Sequence, residues 1–183
     1  MRIPALILTS LLLASSIPAA TPRPAPELTI QRFQTAPLLL SQLRGKVVAL
    51  AFIHTTCSHC QDLTRILKAI QKDYAARNVQ VVECVFDPNA STNYPMFLKA
   101  LEPNFATGYT TDDAVQKYLQ WNNLRDGPLM IPYLILIDAR GIIRGDFNGR
   151  DGFFDDANKR IRAELDKMTK SGVKHAAKTA GKK

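Results

Sequence analysis

The chain is poor in cysteine, in tryptophan and in long apolar runs, and each shortage narrows what it can be. Three Cys in 183 residues are too few to staple a disulfide-framework miniprotein. Eleven Pro and nine Gly follow no period, which excludes a collagen-like chain. No internal repeat is visible. A hydrophobic share of 46% excludes disorder throughout. The length suits one domain of ordinary size, or at most two small ones. Acid is missing from residues 167–183, which hold six Lys, and Arg2 stands at the other end. Without those seven cations the chain carries 17 basic and 16 acidic residues. The net charge of +8 therefore belongs to the ends, and the near-neutral body offers no basic face for nucleic acid.

The ends read as attachments to a domain. Met1-Arg2 precedes a mostly apolar stretch, Ile3–Ala14, and then the small residues S-S-I-P-A-A-T. About a dozen apolar residues cannot span a bilayer but suit the apolar region of a signal peptide. Residues 1–20 are thus expected to be a signal peptide cleaved near Ala19 or Ala20, and less an uncleaved anchor. Export places the body in a periplasmic or similar compartment where disulfide chemistry operates. Residues 21–27 (T-P-R-P-A-P-E) are expected to be a stiff, solvated, proline-rich linker. Residues 167–183 are expected to be a disordered, solubilising basic tail, with a secondary capacity to attract anionic lipid.

Between them, residues 28–166 alternate strand and helix signals. Lys46–Ile53 is an apolar run suited to a strand buried on both faces. Leu63, Ile66, Leu67, Ile70 and Tyr74 recur at helical spacing, and Asn78 ends that helix. Val79–Phe86 is a second strand, which completes a strand–helix–strand unit. Short helices are expected over Ser91–Leu101 and Asp112–Leu119, with a minor strand over Thr107–Thr110. Tyr133–Ile137, the turn Asp138–Gly141 and Ile142–Phe147 form an antiparallel pair. Phe154, Ala157, Ile161, Leu165 and Met168 line a last helix. Leu28–Ile30 and Leu38–Leu40 suit a small leading hairpin. The order predicts one α/β domain with a mixed sheet.

The chemistry lies at the first strand-to-helix turn, Cys57-Ser58-His59-Cys60. A helix starting here aims free N–H groups and its positive dipole end at Cys57, which stabilises a thiolate. Cys60, one turn on, lies on the same face and can resolve a mixed disulfide formed on Cys57. The His59 imidazole can favour the reduced thiolate, which makes the pair more oxidising. A zinc ribbon would need a second CxxC or a His pair, and the body holds only Cys84, His54 and His59 besides. Haem c attachment would need His where Gln61 stands. Cys84 sits in an apolar strand and reads as a buried thiol.

The blocks A-L-A-F-I-H-T-T-C-S-H-C-Q-D-L and I-P-Y-L-I-L-I-D-A-R-G-I-I-R, in this order, resemble the thioredoxin superfamily. Within it they are similar to the exported TlpA-like or redoxin-like thioredoxins, over about residues 28–168. The resemblance implies a thioredoxin-like three-layer fold, a central mixed sheet flanked by helices. It implies an exported thiol–disulfide oxidoreductase in which Cys57 attacks and Cys60 resolves. A cis Ile131-Pro132 would face them and hold substrate backbone, and Thr56 would flank the nucleophile. The partners implied are protein thiol or disulfide substrates and an electron-transfer partner. No cofactor and no metal are implied, and a monomer is expected.

The chain departs from the family pattern at three places. Thr56 stands where many members have Trp. Ala51 stands where many have a buried acid, which leaves the proton acceptor for Cys60 unassigned. Asp62 and Glu83 are the candidates, with a solvated or structural role expected for both. His59 stands where many have Pro. The PxxxTxxC pattern of peroxiredoxins is absent, since Leu50 and His54 occupy its Pro and Thr positions. The alternative function is a copper-binding chaperone that uses Cys57 and Cys60 with His54 or His59.

Overall fold

A computed structural model describes residues 21–180 in backbone and residues 21–170 in side chain. The expected signal peptide lies outside the described residues. Three short strands come first, β1 (Arg23–Pro24), β2 (Thr29–Arg32) and β3 (Thr35–Leu39). Next come β4 (Val47–Ile53), α1 (Ser58–Tyr74), β5 (Val79–Val85), α2 (Ala90–Leu101) and β6 (Ala106–Tyr109). The chain ends with α3 (Asp112–Leu119), α4 (Asn123–Asp126), β7 (Tyr133–Ile137), β8 (Ile142–Phe147) and α5 (Ala157–Ala180). The strands form one mixed sheet in the order β1-β8-β7-β4-β5-β6-β2-β3. β4, β5 and β6 run parallel, and β7 lies antiparallel to β4. This is the expected α/β fold with helices on both faces.

All seven residues of β4 are buried, which is why it reads as an unbroken apolar run. Val47, Ala49, Ala51 and Ile53 face a core shared with α1, α2 and α5. Val48, Leu50 and Phe52 face the opposite core, closed by α3 and the leading hairpin. Leu63, Leu67 and Ile70 fix α1 to the first core. Each such side chain contributes about 1.5–3 kcal/mol by leaving water. After α1 the turn Ala75–Arg77 ends at Asn78, whose φ of 60° reverses the chain into β5. β4 pairs with β5 in register from Val47↔Val79 to Ile53↔Val85, so Ala51 lies opposite Glu83.

Two expectations for the ends need correction. Residues 21–27 are not a solvated linker throughout: β1 pairs antiparallel with β8, Arg23 opposite Ile143 and Pro24 opposite Ile142. The Arg23 side chain is buried and donates from Nη2 to Asp146 Oδ2 at 2.9 Å. Ala25 and Leu28 are buried as well. Proline is tolerated because β1 is an edge strand, where a missing N–H breaks no ladder. At the other end, the basic segment continues α5 as helical backbone to Ala180. Alanine and lysine are good helix formers, and α5 is already nucleated where Ala157, Ile161 and Leu165 pack on the sheet. No helix among the described residues is long and apolar enough to cross a membrane.

Candidate active site

β4 ends at Ile53 and delivers the loop His54-Thr55-Thr56-Cys57 to the start of α1. Asp87, just beyond the parallel strand β5, anchors that loop. Its Oδ1 accepts from the Thr55 backbone N–H at 3.1 Å, and its Oδ2 accepts from the Thr55 hydroxyl at 3.0 Å. Asn93 on α2 adds a third donor at 3.1 Å. Burial works against ionisation of Asp87, but these donors outweigh it and hold its carboxyl below the usual range. From the other side, Gln61 Nε2 donates to the Thr55 carbonyl at 2.8 Å. No motif in the sequence marks Asp87; its role appears only through these contacts with a segment 32 residues away.

Cys57 is the N-cap of α1, with extended backbone (φ −80°, ψ 116°). Its sulfur accepts the Cys60 backbone N–H at 3.2 Å, and its carbonyl accepts the first helical bond, from Gln61, at 3.0 Å. A sulfur takes the place an N-cap oxygen usually fills, so one orphan donor of the first turn points at the Cys57 sulfur. Cys57 is half-buried and Cys60 is buried, both as free thiols. Burial is the main cause that pushes the Cys60 thiol above its ordinary range, and the Cys57 side chain adds to it. Of the two sulfurs, the outer one is the more accessible, and burial favours the protonated form of the inner one.

The remaining expected site residues fall on opposite sides of the first turns of α1. His59 is exposed and lines a hollow of about 440 Å³ with Ile131, Pro132, Arg150 and Phe154. The Ile131–Pro132 peptide bond is cis. Gly149 seats that segment: its N–H donates to the Met130 carbonyl at 3.1 Å. A Cβ on Gly149 would lie 2.7 Å from the Ile131 carbonyl oxygen, so only glycine lets the two backbones approach this closely. Thr56 is exposed on the other side, beside a hollow of about 330 Å³ with Arg65, Met96 and Phe97. His59 and Ile131–Pro132 thus line one hollow, and Thr56 lines another.

Of the two candidate acids, Asp62 is exposed and ion-paired with Arg65 at 2.7 Å. Glu83 is fully buried, with Oε1 2.7 Å from the Thr64 hydroxyl on α1. Burial pushes its carboxyl up to about 8, only partly countered by that hydroxyl. Cys84, the next residue, faces the other core. His54 is half-buried with its ring against Phe86 at 4.4 Å, and burial lowers its pKa. Among the described residues no three His, Cys, Asp or Glu side chains converge as a metal site. A hollow of about 820 Å³ beside Tyr109, Thr111 and Tyr118 contains neither Cys57 nor Cys60.

Residues 22–145, well over half the chain, match the AhpC/TSA family. The chain belongs to the AhpC/TSA family. Solved structures place this AhpC/TSA protein in the thioredoxin fold. One is a thiol:disulfide interchange protein of the thioredoxin family from Chlorobium tepidum, 23% identical with a TM-score of 0.61. That match covers 79% of this chain and 97% of the other. Another is the thioredoxin domain of a thiol-disulfide oxidoreductase from Bacteroides vulgatus, 19% identical with a TM-score of 0.63. It too covers 79% of this chain and 97% of the other. Likeness at these identities establishes a shared fold. No curated protein matches this AhpC/TSA chain.

Proposed function

We propose that this AhpC/TSA protein is an exported thiol–disulfide oxidoreductase that exchanges disulfides with protein substrates through Cys57 and Cys60. The observation that carries the reading is the paired cysteine turn: a half-buried sulfur at the N-cap, accepting an N–H, with a buried thiol one turn behind it. The Cys57 thiolate attacks one sulfur of a substrate disulfide. A mixed disulfide forms, and the second substrate sulfur leaves as thiolate and is protonated. Cys60 loses its proton and attacks the Cys57 sulfur, which releases the first substrate sulfur as a thiol. The substrate disulfide has then gained two electrons, and the Cys57–Cys60 pair has lost two. The same steps run backwards oxidise a dithiol substrate.

Ile131–Pro132 gives an extended substrate a backbone to lie against, and the hollow beside His59 receives the flanking side chains. The exposed His59 imidazole favours the reduced, anionic form of the pair, and Thr56 borders the approach from the other side. Export rests on the basic, apolar and small-residue order of residues 1–20. An electron-transfer partner must reset the cysteines after each turnover. No donor cluster among the described residues favours the copper-chaperone alternative.

Cys60→Ser tests the reading, because it stops the exchange at the mixed disulfide. The variant is expected to accumulate disulfide-linked client proteins, while Cys57→Ser accumulates none and loses turnover of a model disulfide. Failure of Cys60→Ser to trap any client, with unchanged turnover in Cys57→Ser, overturns it.

A further inference from the structure

Glu83 is a fully buried carboxyl in the middle of β5, and nothing in the exchange chemistry above uses it. The register sets it opposite Ala51 of β4, on the face that packs against α1. Its Oε2 is buried with no hydrogen-bond partner. Leaving such an atom unsatisfied costs about 1–3 kcal/mol, more if it is charged. Among the described residues no cation pairs with it. The titratable groups that interact with it are Cys60 from α1, Tyr94 from α2 and Cys84 from its own strand. Ala51 from β4 adds none.

The Thr64 hydroxyl counts the protons. Its oxygen lies 2.7 Å from Glu83 Oε1 and 3.0 Å from the Cys60 carbonyl oxygen. A hydroxyl has one hydrogen to give and two lone pairs to receive. With Glu83 ionised, that hydrogen can satisfy only one of the two oxygens. With Glu83 protonated, the carboxyl donates to Thr64 and Thr64 donates to the Cys60 carbonyl, so both contacts are hydrogen bonds. The neutral acid is therefore the better-satisfied form. It is linked through one hydroxyl to the peptide of the resolving cysteine. Cys60, in turn, is a buried thiol that must lose a proton before it can attack.

We propose that Glu83 is the proton acceptor and donor for Cys60, supplied from β5 in place of an acid on β4. The proposal rests on the thiol–disulfide reading above. In resolution of a mixed disulfide, the Cys60 S–H bond breaks and its proton goes to the Glu83 carboxylate. The Cys60 thiolate attacks the Cys57 sulfur, a Cys57–Cys60 bond forms, and the substrate sulfur leaves with the electron pair of the broken S–S bond. In the reverse direction a substrate thiolate attacks Cys57, Cys60 leaves as thiolate, and Glu83 returns the proton. A carboxyl that titrates close to neutrality exchanges a proton with little driving force wasted in either direction. Thr64 is the positioning residue that holds Oε1.

The reduced full chain with an aromatic disulfide, 5,5′-dithiobis(2-nitrobenzoate), separates the two steps by stopped-flow absorbance. The first thionitrobenzoate released reports Cys57, and the second reports Cys60. In Glu83→Gln the second phase is expected to slow by roughly 100-fold and to lose its inflection near pH 8, while the first phase is unchanged. Glu83→Asp should recover part of the second phase. Thr64→Val, which removes the hydroxyl bonded to Oε1, should displace the inflection and covers the case in which Glu83→Gln does not fold. A second phase within twofold of wild type in Glu83→Gln, or an unmoved inflection in Thr64→Val, overturns the role of Glu83. Loss of the first phase already in the wild-type chain would instead overturn the exchange reading itself.

Discussion

Replacing Glu83 by Gln should make the protein more stable, and increasingly so as pH rises. The amide keeps the size of the neutral acid and can neither gain nor lose a charge. In the fold the carboxyl is pushed up to about 8 by burial, against 4.5 when unfolded. The folded state therefore holds this proton more tightly than the unfolded state. Its contribution is fully present below pH 4.5 and is lost as pH rises through 8. Each unit of difference is about 1.4 kcal/mol. Relative to Glu83→Gln, the wild-type chain should lose about 3 kcal/mol by pH 7 and about 5 kcal/mol above pH 8. Urea unfolding of both reduced proteins, followed by far-ultraviolet circular dichroism at pH 5, 7 and 9, measures the gap. The two stability curves should diverge over that range with equal denaturant slopes. Parallel curves from pH 5 to 9 would show that Glu83 is ionised in the fold and that its buried, neutral state is wrong.

Two further substitutions probe the frame around the cysteines. Arg23→Ala should destabilise the fold by about 2 kcal/mol, because it removes a buried arginine and strips the half-buried Asp146 carboxylate of its cation. Thermal unfolding checks this, and a change under 0.5 kcal/mol would mean that β1 contributes nothing to the sheet edge. Gly149→Ala drives a methyl group to 2.7 Å from the Ile131 carbonyl oxygen and must displace the Ile131–Pro132 backbone. Turnover of an unfolded disulfide protein should fall by roughly 10- to 100-fold, while the small aromatic disulfide still reacts at Cys57 at its normal rate. Equal effects on both substrates would remove Ile131–Pro132 from protein recognition.

Strands buried on both faces were the most legible part of the chain. β4 and β7 are short apolar runs bounded by polar turns, and their observed limits lie within a residue of those expected. α1 was legible because its apolar spacing is regular and its start carries the cysteines. β1 was not, because its burial depends on Asp146, a partner 123 residues away that local composition cannot reveal. α4, at four residues, is too short to show a helical period in the sequence. It is a single turn held by the Asn122 side chain, which accepts the backbone N–H groups of Leu124 and Arg125.

The site divided in the same way. Cys57 and Cys60 announce themselves by spacing, but Asp87, which anchors their loop, and Gly149, which seats the Ile131–Pro132 segment, act through contacts between distant segments. Glu83 was legible in principle. Val81, Glu83 and Val85 share one parity in a strand buried on both faces, so an acid among them has to face the core.

Alternation along the same strand has a consequence for oxidative damage. Cys84 is one residue from Glu83 but projects through to the far side of the sheet, away from Cys60. An odd thiol near a reactive pair usually invites scrambling. Here a full backbone layer separates it from its two neighbours. Harsh oxidation of the native molecule should yield one intramolecular bridge and leave the third sulfur untouched until the sheet itself opens.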